Sequence, residues 1–347
     1  MAHIQTVLGP ISPDALGITM MHEHLIWDQA VYLNQRADLS TEEAFLEQAV
    51  CIENMQKTRY YYLHAHRDNV VQYNVDEAVE EVAHLSRSGG CSLVDCSCHG
   101  IARDPKVDLA VSQKTGMQII MSTGFYIAGS SPEVEKLTIK EKKDYFLHEL
   151  TEGISNTDIK AGVIGELGIS EAFPESEAQT LAAAASVQAE TNVAILIHQP
   201  GLMKAGHEIL DILEENGGNL EKTVLCHCDP LCDDITYLMR LLDRGATLSF
   251  DQFGLECLIK IAGYKGLWLP RDIDRIRAIA RLCELGYTKQ LVLSQDLCFK
   301  SCYVKNGGGG YAHVLENIVP IMRMEGIRDR AIHSMLVENP KRILTIP

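Results

Sequence analysis

The chain has 347 residues, 46% of them hydrophobic, so it can bury a large core, and its net charge of −16 repels phosphate backbones and argues against a nucleic-acid partner. No apolar run reaches membrane-spanning length, and the N-terminus lacks the charged, apolar and small-residue succession of a secretion signal; a soluble cytoplasmic protein is expected. The eleven cysteines are odd in number and scattered through apolar runs, the pattern of reduced thiols rather than of a disulfide framework.

Short strand-like runs alternate with helical segments almost to the C-terminus. The first strand, Ile18 to Glu23, closes on Met20-Met21-His22-Glu23-His24-Leu25. Side chains alternate faces along a strand, so His22 and His24 project together while Glu23 turns to the other face. A polar, aromatic insertion follows from Ala30 to about Tyr73, carrying a helix that opens with a capping box from Ser40 to Glu43. Within it His64 and His66 repeat the His-x-His spacing, but among Arg59, Arg67 and Asp68 they read as solvated surface, not as ligands.

A helix from Asp76 ends at Gly89-Gly90, ahead of a second strand from Cys91 to Cys96. The next helix has Asp104 as N-cap, Pro105 in its first position and Gly116 past its end. The third strand, Gln118 to Ser122, leads into Thr123-Gly124-Phe125-Tyr126, and the fourth, Gly162 to Glu166, follows a charged helix from about Ile139 to Gly153. An alanine-rich helix after Pro174 precedes the fifth strand, Val193 to His198, and a helix stopping at Gly217-Gly218 precedes the sixth, Thr223 to Cys228. A helix from about Asp234 to Gly245 leads to the seventh, Ala246 to Asp251. A long apolar loop, Gly254 to Pro270, and a helix capped by Asp272 precede the eighth, Gln290 to Gln295; two helices close the chain after Gly307–Gly310.

Eight strands alternating with helices specify a parallel sheet, and eight such units close a barrel. An open doubly wound sheet would want a glycine-rich phosphate turn after an early strand, and Thr123-Gly124 is no such turn. The expected fold is α/β: a single-domain (β/α)8 TIM barrel over residues 1–347 with an insertion at about 30–73.

Barrel enzymes place their chemistry at the C-terminal ends of the strands. There the sequence sets His22 and His24, Glu166, His198, His227 and Asp296, on five different strands. Singly, each has an ordinary explanation as a hydrogen-bonded core histidine, an ion-pair partner or a cap. Together they converge on one pocket. Four histidines and two carboxylates exceed what one tetrahedral zinc needs but suit two divalent metal ions, roughly 3.5–4 Å apart, sharing a carboxylate bridge. Neighbouring strands group His22, His24 and Asp296 on one metal and His198 and His227 on the other, with Glu166 bridging. Zinc is the first expectation; manganese, cobalt and iron suit the same donors. A water shared by two cations loses a proton near neutral pH and attacks a carbonyl or phosphoryl centre, with Asp296 shuttling the proton to the leaving group.

These residues, with Met21-His-Glu-His-Leu25, Gly100-Ile-Ala-Arg-Asp104, Thr123-Gly-Phe-Tyr126, Ala161-Gly-Val-Ile-Gly-Glu-Leu-Gly168, Ile197-His-Gln-Pro200, His227-Cys-Asp229, Ser249-Phe-Asp-Gln-Phe-Gly254, Ser294-Gln-Asp296 and Val337-Glu-Asn-Pro340, make the chain resemble the phosphotriesterase family of the amidohydrolase superfamily. The resemblance spans nearly the whole chain. It implies a binuclear metal hydrolase on a (β/α)8 barrel, often a homodimer, with metal-ligand roles for the same six residues. One position departs from the organophosphate-degrading members, which bridge their metals with a carbamylated lysine: here Glu166 stands at that place. A glutamate bridge, and the segment Lys300 with Gly307-Gly-Gly-Gly-Tyr-Ala-His-Val-Leu-Glu316, resemble the phosphotriesterase-related and homology-protein branch. That branch implies lactones, carboxylic esters or N-acyl amides as substrates, N-acyl amino sulfonates among them, with phosphotriester or organophosphate hydrolysis as the alternative.

Further candidates lie at the rim. Tyr126 is placed to donate to a substrate or leaving-group oxygen, and Lys300 and Tyr303, in a glycine-rich and so mobile loop, to clamp an anionic substrate end. Asp251 is placed to orient a ligand histidine, and Arg103 and Asp104 to stabilise a helix start. Two other classes compete with a hydrolase. One is a small-molecule binding protein that keeps the metal cage without turnover. The other is a redox or thiolate-metal site at Cys96, Cys98, Cys226 and Cys228, whose C-x-C pairs lack the spacing of a structural zinc site.

Overall fold

Strands buried on both faces read as near-continuous apolar runs, and the eight expected ones form in a computed structural model that describes residues 1–35, 43–61, 63–259 and 266–347. They are β1 (Thr19–Glu23), β2 (Ser92–Asp95), β3 (Gln118–Thr123), β4 (Val163–Gly168), β5 (Ile195–His198), β6 (Thr223–Leu225), β7 (Thr247–Phe250) and β8 (Leu291–Leu293). Each lies parallel to the next in chain order. The seam between β8 and β1 is closed by hydrogen bonds just beyond the strand ends. His22 N–H donates to Ser294 Oγ at 2.9 Å, and Asp296 N–H donates to the His22 carbonyl at 3.1 Å. Glu23 faces away from the histidines, as expected, and completes the seam. Its buried carboxylate accepts from Ser294 Oγ, the Gln295 and Leu297 amides and Gln295 Nε2 at 2.6–3.0 Å. The result is a (β/α)8 barrel.

Met21, Val94, Ile120, Val163, Leu196 and Val292 fill its interior with the thiols of Cys96 and Cys226. Ile4, from an antiparallel hairpin of Ile4–Thr6 with Gly9–Ile11, joins Ile343 and Leu344 in the same cluster and plugs the N-terminal end. A packed interior closed at one end leaves the other for chemistry.

The helices α1 (Val75–Arg87), α2 (Pro105–Thr115), α3 (Ile139–Thr151), α4 (Glu175–Thr191), α5 (Gly206–Glu215), α6 (Ile235–Asp243) and α7 (Asp272–Glu284) follow the strands in turn. Asp104 caps α2 by accepting from Lys106 N–H at 2.8 Å, and Gly116 ends it at φ 74°. A capping box from Thr138 to Glu141 starts α3. Asp272 opens α7 as its first residue rather than as its cap, because its carboxylate is committed to Gly254 N–H, Arg275 and His313. Two helices close the chain as expected, each with a π-helical turn: Val314–Ile318 runs on into Val319–Met324, and Asp329–His333 continues through Ser334–Glu338 into Asn339–Leu344. No helix of the described residues is long and apolar enough to cross a membrane.

Strands β6 and β8 end earlier than the sequence implies. His227 and Asp296 take φ of 57° and 49°, which turns the chain out of the ladder. The insertion is tied to the barrel mouth by pairing of Trp27–Asp28 with Val71–Gln72 and carries short helices at Glu43–Leu46, Met55–Tyr61 and Arg67–Val70. The capping residue expected at Ser40 lies outside the described residues. The glycine run after β8 is packed, not loose: a side chain on Gly308 would meet the Cys302 carbonyl at 2.1 Å, and one on Gly309 the His313 ring at 2.3 Å.

Candidate metal centre

The two-residue strand period delivers His22 and His24 to one side at the end of β1, Glu166 and His198 stand within β4 and β5, and the turns after β6 and β8 deliver His227 and Asp296. The six meet. Glu166, at the mouth end of β4, lies 3.3 Å from His22 Nε2, 3.4 Å from His24 Nε2, 3.2 Å from His198 Nδ1 and 3.4 Å from His227 Nε2. Its Oε1 faces His24, and its Oε2 faces the other three. Asp296 Oδ1 is 3.3 Å from His24 Nε2 and 3.7 Å from His22 Nε2. Two donor groups therefore share Glu166: one with His22 and His24, the other with His198 and His227.

These donors are wanting a cation. Both ring nitrogens of His22 and Nε2 of His24 are buried without a hydrogen-bond partner. Such orphans cost about 1–3 kcal/mol each unless something else binds them. Burial alone would push the Glu166 carboxyl up, but the surrounding imidazoles of His22, His198 and His227 hold it well below the usual carboxylate range. Conversely, burial favours neutral His24, yet Asp296 and Glu166 raise it to about 9. A carboxylate field that draws protons onto a buried imidazole is one a divalent cation would occupy in their place. The donor set fits such ions.

Two supports fix which nitrogen faces inward. Ser97 Oγ donates its proton to the Ile26 carbonyl at 3.0 Å, so toward His24 Nδ1, 3.0 Å away, it can only accept. His24 therefore keeps its proton on Nδ1 and turns the Nε2 lone pair to the centre. Removing that hydroxyl by Ser97→Ala is expected to weaken metal binding by roughly 10–100-fold while the chain still folds. Metal affinity by competition with a chromogenic chelator measures this, and an unchanged affinity would refute the role. Asp251 does the same for His227, accepting from its Nδ1 and its backbone N–H, each at 2.9 Å, and its other oxygen lies 3.3 Å from His22 Nδ1. Behind it Asp229 accepts from the Asp251 amide at 3.1 Å and from Arg275 Nε at 2.8 Å, and the fully buried Arg275 also reaches Asp272 at 2.7 Å and the Leu255 carbonyl at 2.8 Å.

The centre floors a cavity of about 730 Å³, its open mouth included, within the range of small-molecule sites. Tyr126 lines it: its ring packs 5.1 Å from that of His198, and its hydroxyl pairs with Tyr32 OH at 2.8 Å. The two other rim candidates stand elsewhere. Lys300 Nζ is bound to Asp68 at 2.5 Å outside the cavity, and Tyr303 is fully buried, edge-on to Trp27, its hydroxyl accepting from Gln72 Nε2 at 3.0 Å. Arg103, on the loop before α2, grips Glu149 of α3 with two bonds of 2.6 Å and donates to the Ser122 carbonyl of β3 at 3.0 Å, clamping helix to strand. All eleven cysteines are free thiols, and Cys98 sits against the Glu166 carbonyl at 3.2 Å.

The insertion's histidines are not solvated. His66 is fully buried, its Nε2 donating to the Gln48 carbonyl at 2.7 Å and its Nδ1 accepting from Thr58 Oγ1 at 2.8 Å. His64 lines the cavity with Tyr32, Gln29 and Phe299. Leu255, Ile259, Leu267 and Leu269 of the long apolar loop supply aliphatic wall. A charged neighbourhood in sequence hid both histidines; the one available signal was the aromatic content around them.

Comparison with known proteins places the chain in a family. A match to the phosphotriesterase family runs over residues 2–344. The human N-acetyltaurine hydrolase is 34% identical over 348 residues, covering 99% of this chain and 97% of that protein, and its Salmo salar counterpart is 33% identical with the same coverage. Among solved structures, a resiniferatoxin-binding protein from Rhodobacter sphaeroides superposes with a TM-score of 0.93 at 36% identity, over 99% of this chain and 94% of the other. The phosphotriesterase homology protein of Escherichia coli, complexed with phosphate in its active site, superposes at 0.77 with 25% identity, over 95% and 99%. The chain belongs to the phosphotriesterase family of hydrolases.

Proposed function

We propose that the chain is a binuclear divalent-metal hydrolase of small acyl compounds, N-acyl amides first and carboxylic esters or lactones beside them. The observation that carries this is Glu166, whose two oxygens lie 3.2–3.4 Å from four imidazoles on three other strands. A carboxylate shared between two donor groups is the arrangement that a water-activating pair of cations requires. The choice of amides draws on the relatives named N-acetyltaurine hydrolase, aligned over 99% of this chain. Zinc is the favoured ion, and a homodimer in the cytoplasm is part of the same reading.

His22, His24 and Asp296 would hold one ion and His198 and His227 the other, with Glu166 between. Bound there, the pair supplies Lewis acidity and lowers the pKa of water. The chain's own groups do the rest. Ser97 and Asp251 hold the imidazoles so that lone pairs, not protons, face inward. Asp296 lies on the cavity wall, and its buried carboxylate is held low by hydrogen bonding to His24 and by the charges of His227 and His22. It is therefore free to take a proton and pass it to a departing nitrogen or oxygen. Of the paired Tyr32 and Tyr126 hydroxyls one donates to the other, which leaves one proton for a carbonyl oxygen of the substrate.

Stripping the protein with a chelator should abolish hydrolysis of a panel of N-acyl amides, esters and lactones, and added zinc or manganese should restore it. Restored metal with silence across the panel, alongside tight ligand binding, would replace the hydrolase by a binding protein. Full turnover in the chelator would refute the metal.

A further inference from the structure

We propose that Gln29 and Gln252, on either side of Asp296, accept the N–H hydrogens of a departing nitrogen and so set the site for secondary amides over the matching esters and lactones. This rests on the hydrolase reading above and names the leaving group of that site.

A buried amide side chain has both its ends bonded unless something else is to bind there. Gln72, Gln188 and Gln295 obey this, each donating from Nε2 and accepting at Oε1. Gln199, on the cavity wall, commits its amide nitrogen to the Cys226 carbonyl at 2.8 Å. Gln29 and Gln252 differ. They are 4% and 8% exposed, both line the cavity, and the Oε1 of each is buried with no hydrogen-bond partner among the described residues. Their backbones are fixed: Gln29 N–H donates to the Val70 carbonyl at 2.9 Å, and Gln252 N–H to Asp229 at 3.3 Å.

Their place gives these oxygens a use. Gln252 follows β7 and Asp296 follows β8, the strand between β7 and β1 in the closed barrel. Gln29 lies beyond β1, its amide beside the thiol of Cys298, two residues past Asp296. In amide hydrolysis a hydroxide oxygen bonds to the acyl carbon, its proton passes through Asp296 to the nitrogen, and the carbon–nitrogen bond breaks to leave a carboxylate and an amine. With the acyl oxygen drawn to the metal centre, the nitrogen comes to Asp296, between the two glutamines. It then carries two hydrogens, its own and the one delivered, and two acceptors stand ready for them. The leaving oxygen of an ester or lactone arrives with no hydrogen and meets the glutamine oxygens lone pair to lone pair. A site with buried acceptors rejects a ligand that cannot donate to them.

The test uses metal-loaded wild type, Q29M and Q252M, with metal content measured in each, because a glutamine oxygen can also bind a cation. Turnover is read on two matched pairs, N-benzylacetamide with benzyl acetate and N-acetyltaurine with O-acetylisethionate, as the amide-to-ester ratio of kcat/KM. The greater intrinsic reactivity of the esters cancels when these ratios are compared between proteins. Binding is read by calorimetry with an uncleavable pair: N-benzylmethanesulfonamide, which keeps the N–H, and methyl 2-phenylethyl sulfone, which has a methylene in its place. Wild type is expected to bind the sulfonamide about tenfold more tightly than the sulfone. Each variant should lose most of that preference, and about tenfold in the amide-to-ester ratio, with its metal intact. A variant that keeps the wild-type preference, weakens both probes equally or loses metal would overturn the proposal for that glutamine. If the sulfonamide preference falls as stated but no acyl compound is cleaved, the acceptor role stands and the hydrolase reading falls; cleavage of both pairs with unchanged ratios does the reverse.

Discussion

Glu166→Gln is expected to lower turnover by a factor of about 10³ or more and to bring bound metal below one equivalent per chain. The carboxylate touches all four imidazoles: Oε1 faces His24, and Oε2 faces His22, His198 and His227, so the one side chain reaches both donor groups. A neutral amide of the same shape keeps the packing but removes the negative charge that balances two cations and replaces one oxygen with an N–H donor. Loss at either group alone would leave about half the metal. Loss at both is the signature of a shared ligand. Elemental analysis after gel filtration, with steady-state rates on the same samples, measures it. A Glu166→Gln protein with full metal and kcat near wild type would show that the carboxylate is a bystander.

The second large effect is on stability. Arg275→Met should cost about 3–5 kcal/mol, read from urea denaturation of the metal-loaded protein. The guanidinium is fully buried and bonds Asp229, Asp272 and the Leu255 carbonyl at 2.7–2.8 Å. Without it, Asp229 remains as a buried charge with no countercharge. Adding Asp229→Asn to Arg275→Met should recover part of the loss, because the uncompensated charge is then gone. If the double variant is no more stable than the single one, the damage is lost packing rather than electrostatics. Metal affinity should fall in both, since Asp229 holds the backbone of Asp251 and Asp251 holds His227.

The barrel was legible because alternation of apolar strand and helix is a repeated signal, and because Gly116 and Asp104 mark helix ends by simple chemistry. The six-residue centre was legible because strand ends in a closed barrel share one face, so His22 and Asp296 could be grouped although 274 residues apart (296 − 22). What escaped was local geometry imposed by tertiary contacts. The left-handed backbone of His227 and Asp296, which turns the chain after β6 and β8, is only weakly marked by residue type, histidine and aspartate entering that region more often than most side chains yet still seldom. Lys300 and Tyr303 looked exposed beside four glycines, but those glycines serve close packing against Cys302 and His313, and Asp68 and Gln72 take the two polar groups. His64 and His66 share a spacing and a charged neighbourhood yet have opposite surroundings, one facing the cavity and the other buried under Gln48 and Thr58. Periodicity cannot separate them, because the insertion folds in pieces too short to show any.

The claim on which the rest depends is that two cations sit either side of Glu166. Anomalous diffraction at the zinc edge from zinc-loaded crystals tests it most directly. The account predicts two peaks, one bonded to His22 and His24 and the other to His198 and His227, with a Glu166 oxygen on each. A single peak at full occupancy, or peaks that leave Glu166 unligated, would contradict it.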